Sequence, residues 1–116
     1  MSTPPVLSQL ETFLSLTNRR QSVIASNMAN VDTPGYRTQD MNFQQELKKA
    51  MNAPETSATS NATHSVAGLI ERPDGNNVDL DRESLLLSET QLQYQLGTQL
   101  LKQRFHQLLT AINSDK

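Results

Sequence analysis

The sequence contains no cysteine and no tryptophan, and its aromatic residues are three phenylalanines and two tyrosines. The absence of cysteine excludes disulfides, thiolate metal sites and cysteine nucleophiles. At 116 residues the chain fits one domain. Hydrophobic residues make up only 35% of it, which leaves few side chains for a dense core. We therefore expect it to complete its packing with partners.

The sequence also lacks an excess of charge of either sign. Ten Lys and Arg oppose twelve Asp and Glu, for a formal net charge of -2, and the charges are scattered. Because a phosphate backbone needs a concentrated basic surface, we expect no nucleic-acid partner. No stretch approaches the ~20 apolar residues that span a membrane. The opening MSTPPVLSQLETFLSL has neither a basic region nor a long apolar run, which argues against a cleavable signal peptide.

Signatures of catalysis are missing as well. There is no glycine-rich phosphate loop, nucleophile elbow or paired-carboxylate pattern. His64 and His106 have no second histidine or carboxylate three or four residues away, so no metal site is predicted. Capping of a helix explains Asp79, Asp81 and Glu83. We predict a protein that is not an enzyme and that has no cofactor.

The sequence does contain a helical pattern at its amino end. From Leu7 the apolar residues recur at three- and four-residue steps, and Pro5 suits the first turn of a helix, where a missing N–H costs nothing. This predicts a helix over about residues 5–30, within an N-terminal seam segment, 1–31. Its seam residues, which form the apolar stripe, are Leu7, Leu10, Leu14, Ile24 and Met28.

A second amphipathic helix is predicted over residues 79–116, beginning near Asp79 or Asp81, whose oxygens can accept hydrogen bonds from the first turn. Its seam residues are Leu87, Tyr94, Leu101, Phe105, Leu108 and Ile112. The residues that widen its stripe beyond what one partner helix covers are Leu92, Leu96 and Leu100.

Both seams contain polar residues at mid-length. They are Thr17 and Gln21 in the first helix, and Gln91 and Thr98 in the second. Polar residues at seam positions cost stability but fix the register of two helices.

Residues 32–78 form a middle segment that we expect to be extended and largely irregular. Its run NAPETSATSNAT, residues 52–63, cannot bury enough apolar area to offset the entropy of ordering it. The sequence ERPDGNN has the composition of a turn. Residues 36–43 and 66–70 are candidates for short extended stretches.

Pro34 and Gly35 predict a type II turn from Thr33 to Tyr36. Proline presets φ at the second position of such a turn, and glycine tolerates the positive φ of the third. We interpret the neighbouring Asn27 and Asn30 as hydrogen-bonding parts of a subunit contact.

Residues 18–43, NRRQSVIASNMANVDTPGYRTQDMNF, resemble the N-terminal signature of bacterial flagellar axial proteins. Residues 74–112, which begin DGNNVDLDRESLLL, resemble the C-terminal part of the rod subunits, most closely the proximal class that starts the rod. Met28 stands where the family more often has Ile, and Ser84 where it often has Met. The residues that match the family's loop, and to which the resemblance gives an assembly role, are Asn27, Asn30, Thr33, Pro34, Gly35 and Tyr36.

The resemblance implies a mainly α fold in which the two terminal helices pack as an antiparallel coiled coil. It implies a structural subunit that polymerises helically into the basal-body rod, the drive shaft that crosses the periplasm. The implied partners are copies of the chain, other rod subunits, the basal ring and the adaptor protein at the rod base.

The resemblance further implies export by the flagellar type III apparatus, without a cleavable signal. Phe43 and Leu47 are similar to an aromatic–aliphatic pair of rod and hook export substrates that docks on the export gate. A four-residue spacing puts the pair on one face of a helix, which is also what an ordinary amphipathic turn would show.

A competing hypothesis is a stand-alone helical hairpin that acts as an adaptor and recruits a single partner. In that case the two seams would satisfy each other, and the chain would be a stable monomer or form a one-to-one complex.

Overall fold

The computed structural model describes residues 5–52 and 62–114, and within them the chain is mainly helical. Its elements in chain order are α1 (Pro5–Ala29), β1 (Gln39–Asp40), α2 (Phe43–Asn52), β2 (His64–Ser65) and α3 (Leu80–Ser114). Most of the polar run at 52–63, the first four residues and the last two lie outside the described residues.

The two long helices lie where the periodicity predicts them. α3 begins after Asp79, whose Oδ1 accepts hydrogen bonds from the backbone amides of Asp81 at 3.1 Å and Arg82 at 3.3 Å. Asp79 is therefore the N-cap, because it satisfies amides that have no partner within the helix. α1 ends just before Asn30, whose Nδ2 donates to the Ser26 carbonyl at 2.7 Å.

The middle segment is more regular than its composition predicts. α2 has ten residues and begins after Asn42, whose Oδ1 accepts from the Gln45 amide at 3.2 Å while its Nδ2 donates to Gln45 Oε1 at 2.9 Å. This reciprocal capping, together with an apolar face that packs against α1, stabilises a helix too short to persist alone. The Phe43 ring meets the Phe13 ring edge to face, with centroids 5.9 Å apart.

β1 and β2 form a two-residue antiparallel ladder, in which Gln39 pairs with Ser65 and Asp40 with His64. β1 falls within the predicted extended stretch 36–43, whereas β2 lies just before the predicted stretch 66–70, of which no residue is in a strand. It holds the chain beside α1 on both sides of α2.

α1 and α3 pack along each other, with their ends in opposite order. Asn27, near the end of α1, bonds Glu83 near the start of α3, whereas Leu14 lies against Gly97. The molecule measures 69 × 27 × 18 Å, and its radius of gyration is 18.1 Å. A compact chain of this length would have about 13 Å, so the chain is elongated.

The buried interior is small and unusually polar. Its apolar members are Leu16, Ile24, Met41, Ala50 and Val78. Its polar members are Thr17, Asn27, Thr38, Glu46, Asn76, Asn77, Glu83 and Thr90. Because buried polar groups are costly unless hydrogen-bonded, the partners of these side chains decide how the chain is held together. Among the described residues, no helix is long and apolar enough to cross a membrane.

Candidate assembly site

A polar junction joins α1, the turn after it, β1 and the start of α3. We use this name for Arg20, Asn27, Tyr36, Gln39, Asp40, Arg82 and Glu83. At its centre is Asn27, whose side chain is 1% exposed.

The Asn27 amide uses its full hydrogen-bonding capacity inside the chain. Its Nδ2 donates to the Gln39 carbonyl at 2.8 Å and to Glu83 Oε1. Its Oδ1 accepts from the Tyr36 hydroxyl at 2.9 Å and from the Gln39 amide at 3.0 Å. Two donors and two acceptor sites are all that an asparagine side chain offers, so these four bonds use all of them.

Glu83 is the buried charge of the junction, with no exposed surface. Burial raises the pKa of its carboxyl, while the hydrogen bond from Asn27 and the charge of Arg82 oppose the increase. Arg82 NH1 donates to Glu83 Oε2 at 2.8 Å. Asp40 lies between two guanidiniums, with its Oδ2 3.3 Å from Arg20 and 3.6 Å from Arg82. Two arginines therefore balance two carboxylates, which is how buried charges are tolerated.

Beside the junction, two glycine turns pack back to back. Gly35 has φ of 76° and Gly75 has φ of 88°, a region that side chains with a Cβ rarely adopt. The Tyr36 amide donates to the Thr33 carbonyl at 3.2 Å, as the predicted turn requires. A Cβ at Gly75 would lie 3.3 Å from the Gly35 Cα, whereas one at Gly35 would meet nothing within 4 Å. The close approach of the two turns therefore requires glycine at position 75, and the positive φ favours it at both.

Asn76 and Asn77 fasten the two turns together. Asn76 Nδ2 donates to the carbonyls of Asn30 at 2.9 Å and Thr33 at 2.8 Å. Asn77 Oδ1 accepts from the Thr38 amide at 2.6 Å. The DGNN stretch, residues 74–77, thus holds the segment that follows α1 by hydrogen bonds to backbone carbonyls and amides of that segment.

The sequence predicts Asn27 and Asn30 as parts of a subunit contact. In the structure Asn27 is buried, and its side chain bonds groups of its own chain. Asn30 also bonds locally, through Nδ2 to Ser26 and through Oδ1 to the Thr33 hydroxyl at 3.0 Å. Thr33, Pro34 and Gly35 are exposed, so these three remain available to a neighbour.

The inward face of α3 consists of small and polar residues rather than leucines. Glu83, Thr90 and Gly97 recur every seven residues and are buried against α1. A Cβ at Gly97 would lie 2.7 Å from Leu14 Cδ2 and 3.1 Å from the Phe13 ring. Glycine at this position allows the two helices to approach closely.

The predicted seam residues are placed unevenly. Ile24 is buried, and half-buried members are Leu7, Leu10, Leu14, Met28, Leu87 and Leu101. Exposed members, at 40 to 55%, are Tyr94, Phe105, Leu108 and Ile112. Of the predicted polar seam positions, Thr17 is buried, Gln21 and Thr98 are half-buried and Gln91 is exposed; the buried threonine of α3 is Thr90. The bond from Glu83 to Asn27 and the contact at Gly97 set this rotation of α3.

Large apolar residues remain on both flanks of α3, on either side of its buried line. One flank carries Leu85, Leu92, Leu96 and Leu100, which are 41 to 69% exposed. The other carries Tyr94, Phe105, Leu109 and Ile112, which are 40 to 55% exposed. Exposed apolar surface of this extent on one helix is typical of a surface that binds protein.

The pair Phe43 and Leu47 lies on α2, and both side chains are half-buried. They lie on the face that packs toward α1, and Phe43 is in contact with Phe13. The four-residue spacing thus serves at least a packing role in the folded chain.

Sequence reasoning missed three functional positions. Glu83 was treated as one of three capping carboxylates, and only its tertiary partners distinguish it from Asp79 and Asp81. Gly97 had a visible signal, since an isolated glycine inside a helical pattern often marks a close approach. Thr90 had no signal beyond its seven-residue spacing from both. Among the described residues no cluster of three or more metal-ligating side chains occurs.

Comparison with known proteins agrees with this geometry. The family model described as "Flagella basal body rod protein" matches residues 12–37, which contain most of α1 and the turn after it. The flagellar basal body rod protein FlgB of Salmonella typhimurium LT2 is 34% identical, over 76% of this chain and 78% of that protein. The FlgB proteins of Escherichia coli K12 and Bacillus subtilis 168 are 31% and 30% identical, over 87% and 95% of this chain and 88% and 95% of their own lengths.

Proposed function

Because the chain belongs to the family of flagellar basal body rod proteins FlgB, we propose that it is a structural subunit of the rod that polymerises helically through its terminal helices. In this role it is located in the flagellar basal body and associates with other rod components. The family is structural, and the chain is assigned no catalytic activity.

The observation that supports polymerisation is the division of α3 into a buried face and two apolar flanks. Its buried face is covered by α1, and the polar junction and Gly97 fix how the two helices pair. Its flanks stay uncovered within the chain. Burial of a leucine side chain stabilises by about 1.5–3 kcal/mol, so covering these flanks with neighbouring subunits would favour assembly strongly.

We propose that α1 and α3 form an antiparallel coiled coil in the rod, since their ends lie in opposite order. The rod built from it crosses the periplasm, and its base contacts the basal ring and the adaptor protein. Thr33, Pro34 and Gly35, which are exposed at the tip of the turn, are the part of the predicted assembly motif that can reach a neighbour.

We propose that the chain is exported by the flagellar type III apparatus and that Phe43 and Leu47 dock on the export gate. Because Phe43 also packs on Phe13, a test of export must separate loss of docking from loss of this ring contact. Phe43→Ala and Leu47→Ala should reduce the amount of chain exported, whereas Phe13→Ala removes the same ring contact and leaves the pair intact. Equal export of all three variants would contradict the docking role of Phe43 and Leu47.

The function is tested by replacing the chain in its native cells with an affinity-tagged copy and imaging the purified basal bodies by electron microscopy. We expect the chain in several copies within the rod, and loss of swimming when it is deleted. A chain found outside the basal body, or in a one-to-one complex with a single partner, would favour the adaptor hypothesis instead.

A further inference from the structure

The surface of the chain carries an apolar groove and, elsewhere, an apolar ridge, and we propose that the ridge of one copy binds in the groove of the next. This inference rests on the proposed function, because it names the two surfaces through which the subunits polymerise.

The groove lies between α1 and α3 and is closed on one side by the last turn of α2. It has a volume of about 330 Å³. Its apolar walls are formed by Val6, Leu10, Phe13, Met51, Leu96 and Leu100. Four of these are substantially exposed, Val6 at 40%, Leu100 at 41%, Met51 at 44% and Leu96 at 55%, so the groove is open and can admit large side chains.

The ridge consists of Phe105, Leu109 and Ile112 on the carboxyl-terminal part of α3. They are 55%, 49% and 52% exposed. Their spacing of four and three residues aligns them along one side of the helix. An amphipathic helix that lays such a row of anchors into an apolar groove is a common mode of protein recognition.

The positions of the two surfaces decide the kind of assembly. Leu96 and Leu100 belong to one flank of α3 and the ridge to the other, so a chain cannot place its ridge in its own groove. A two-fold dimer would fill both grooves reciprocally and would close. Because the proposed function is an open helical assembly, we assign ridge in groove to a heterologous contact, which leaves one free groove and one free ridge and therefore adds further subunits without closing.

Charges on the two surfaces favour this pairing and give it a direction. Residues 102–114 of α3 carry Lys102 and Arg104 and no acidic residue, and the first half of α1 carries Glu11 as its only charge. Lys48 and Lys49 are exposed on α2, whose Met51 lines the groove. We therefore expect the cations near the ridge to lie closer to Glu11 than to these two lysines.

Two single substitutions test the contact. Leu96→Glu places a charge in the groove and leaves the ridge intact, whereas Leu109→Glu places one on the ridge and leaves the groove intact. Wild-type chain should form an open series of oligomers as its concentration rises in sedimentation velocity, and each variant alone should stay monomeric. An equimolar mixture of the two variants should form one-to-one dimers and nothing larger, since only one competent groove and one competent ridge remain.

Ile70→Glu is the matched control, because Ile70 is 90% exposed but lies outside α3, the groove and the ridge. It should form the same oligomers as wild type, and circular dichroism at a dilution where every chain is monomeric should show equal helicity for all three variants. The contact is wrong if wild type stays monomeric at its solubility limit or stops at a closed dimer, if either variant still forms the open series, or if the mixture gives no dimer.

The proposed function can survive that result. If basal bodies from cells expressing Leu96→Glu or Leu109→Glu still contain the chain in an intact rod, the subunit role stands and only the ridge-in-groove contact is refuted. If tagged wild-type chain is absent from the rod, the function itself fails.

Discussion

At the scale of single residues, Asn27 has the most connected side chain in the polar junction. It reaches the turn through Tyr36, β1 through Gln39 and α3 through Glu83. No apolar residue of similar size could satisfy these four groups, and each would be left buried without a partner. A single asparagine thus specifies which part of α3 lies beside the end of α1.

Asn27→Asp should lower the free energy of unfolding by about 3 kcal/mol or more, because the carboxylate donates to neither partner and faces the Glu83 carboxylate. Urea unfolding followed by circular dichroism measures the loss. Asn18→Asp, at an exposed position of the same helix, is the control and should change stability by less than about 0.5 kcal/mol. Equal losses in the two variants would contradict the role of Asn27.

The junction also predicts a pH dependence of stability. Because burial raises the pKa of Glu83 above its ordinary value of 4.5, the folded chain holds this proton more tightly than the unfolded chain. The contribution of Glu83 is therefore complete below about pH 4.5 and is lost as the pH rises through the raised pKa.

Glu83→Gln does not titrate, so its stability relative to wild type should increase with pH across that window, in urea unfolding at several pH values. Ser88→Ala, at an exposed position of the same helix, is the control and should show no such trend. A relative stability that falls with pH would mean that Arg82 and Asn27 outweigh burial.

At the scale of elements, the rotation of α3 determines which of its residues are available to partners. Periodicity predicts that α3 is amphipathic but does not distinguish a seam through Leu87 and Tyr94 from one through Thr90 and Gly97. Both are seven-residue patterns in a helix with apolar residues on three sides. Contacts of Glu83 and Gly97 with α1 select the second pattern.

Gly97→Leu should separate α1 from α3 and destabilise the chain by about 1–3 kcal/mol, because the new side chain overlaps Leu14 and Phe13. Gly97→Ala should change stability by less than about 1 kcal/mol, since the gain in helix propensity offsets a shift of the Leu14 side chain. Gln95→Leu, an exposed position two residues away, controls for the added leucine in thermal unfolding. Destabilisation by Gln95→Leu as large as that by Gly97→Leu would argue against close packing.

α2 shows how an element can depend on its surroundings. The sequence contains its capping residue Asn42 and its apolar pair, but a ten-residue helix is too short to be stable alone. Its packing on α1, which includes the contact between Phe13 and Phe43, supplies the stabilisation that the helix lacks by itself.

At the scale of the whole molecule, the chain exposes more surface than a compact protein. Its accessible area is 7893 Å². A globular protein of 12.9 kDa would expose about 6300 Å². The excess reflects two long helices that cover each other on one side only, so much of the stabilising burial must come from neighbours.

The isolated chain should therefore be weakly helical at high dilution and should gain helicity as its concentration rises. Circular dichroism over a concentration series measures this, with Leu109→Glu as a control that should gain less. A highly helical monomer that unfolds cooperatively at a temperature independent of concentration would contradict it.

The sequence by itself determined the two terminal helices, the Asp79 cap and the glycine turn, because periodicity, capping and φ preference act within a few residues. It also indicated the family through the loop that follows α1. Tertiary structure alone decided that Asn27 donates a hydrogen bond to Glu83 inside the chain. It also decided that α3 buries Thr90 and Gly97 and exposes its leucine flank. These facts depend on contacts between residues more than fifty positions apart, such as Asn27 and Glu83. The partners of a buried polar group cannot be read from its own neighbourhood in the chain.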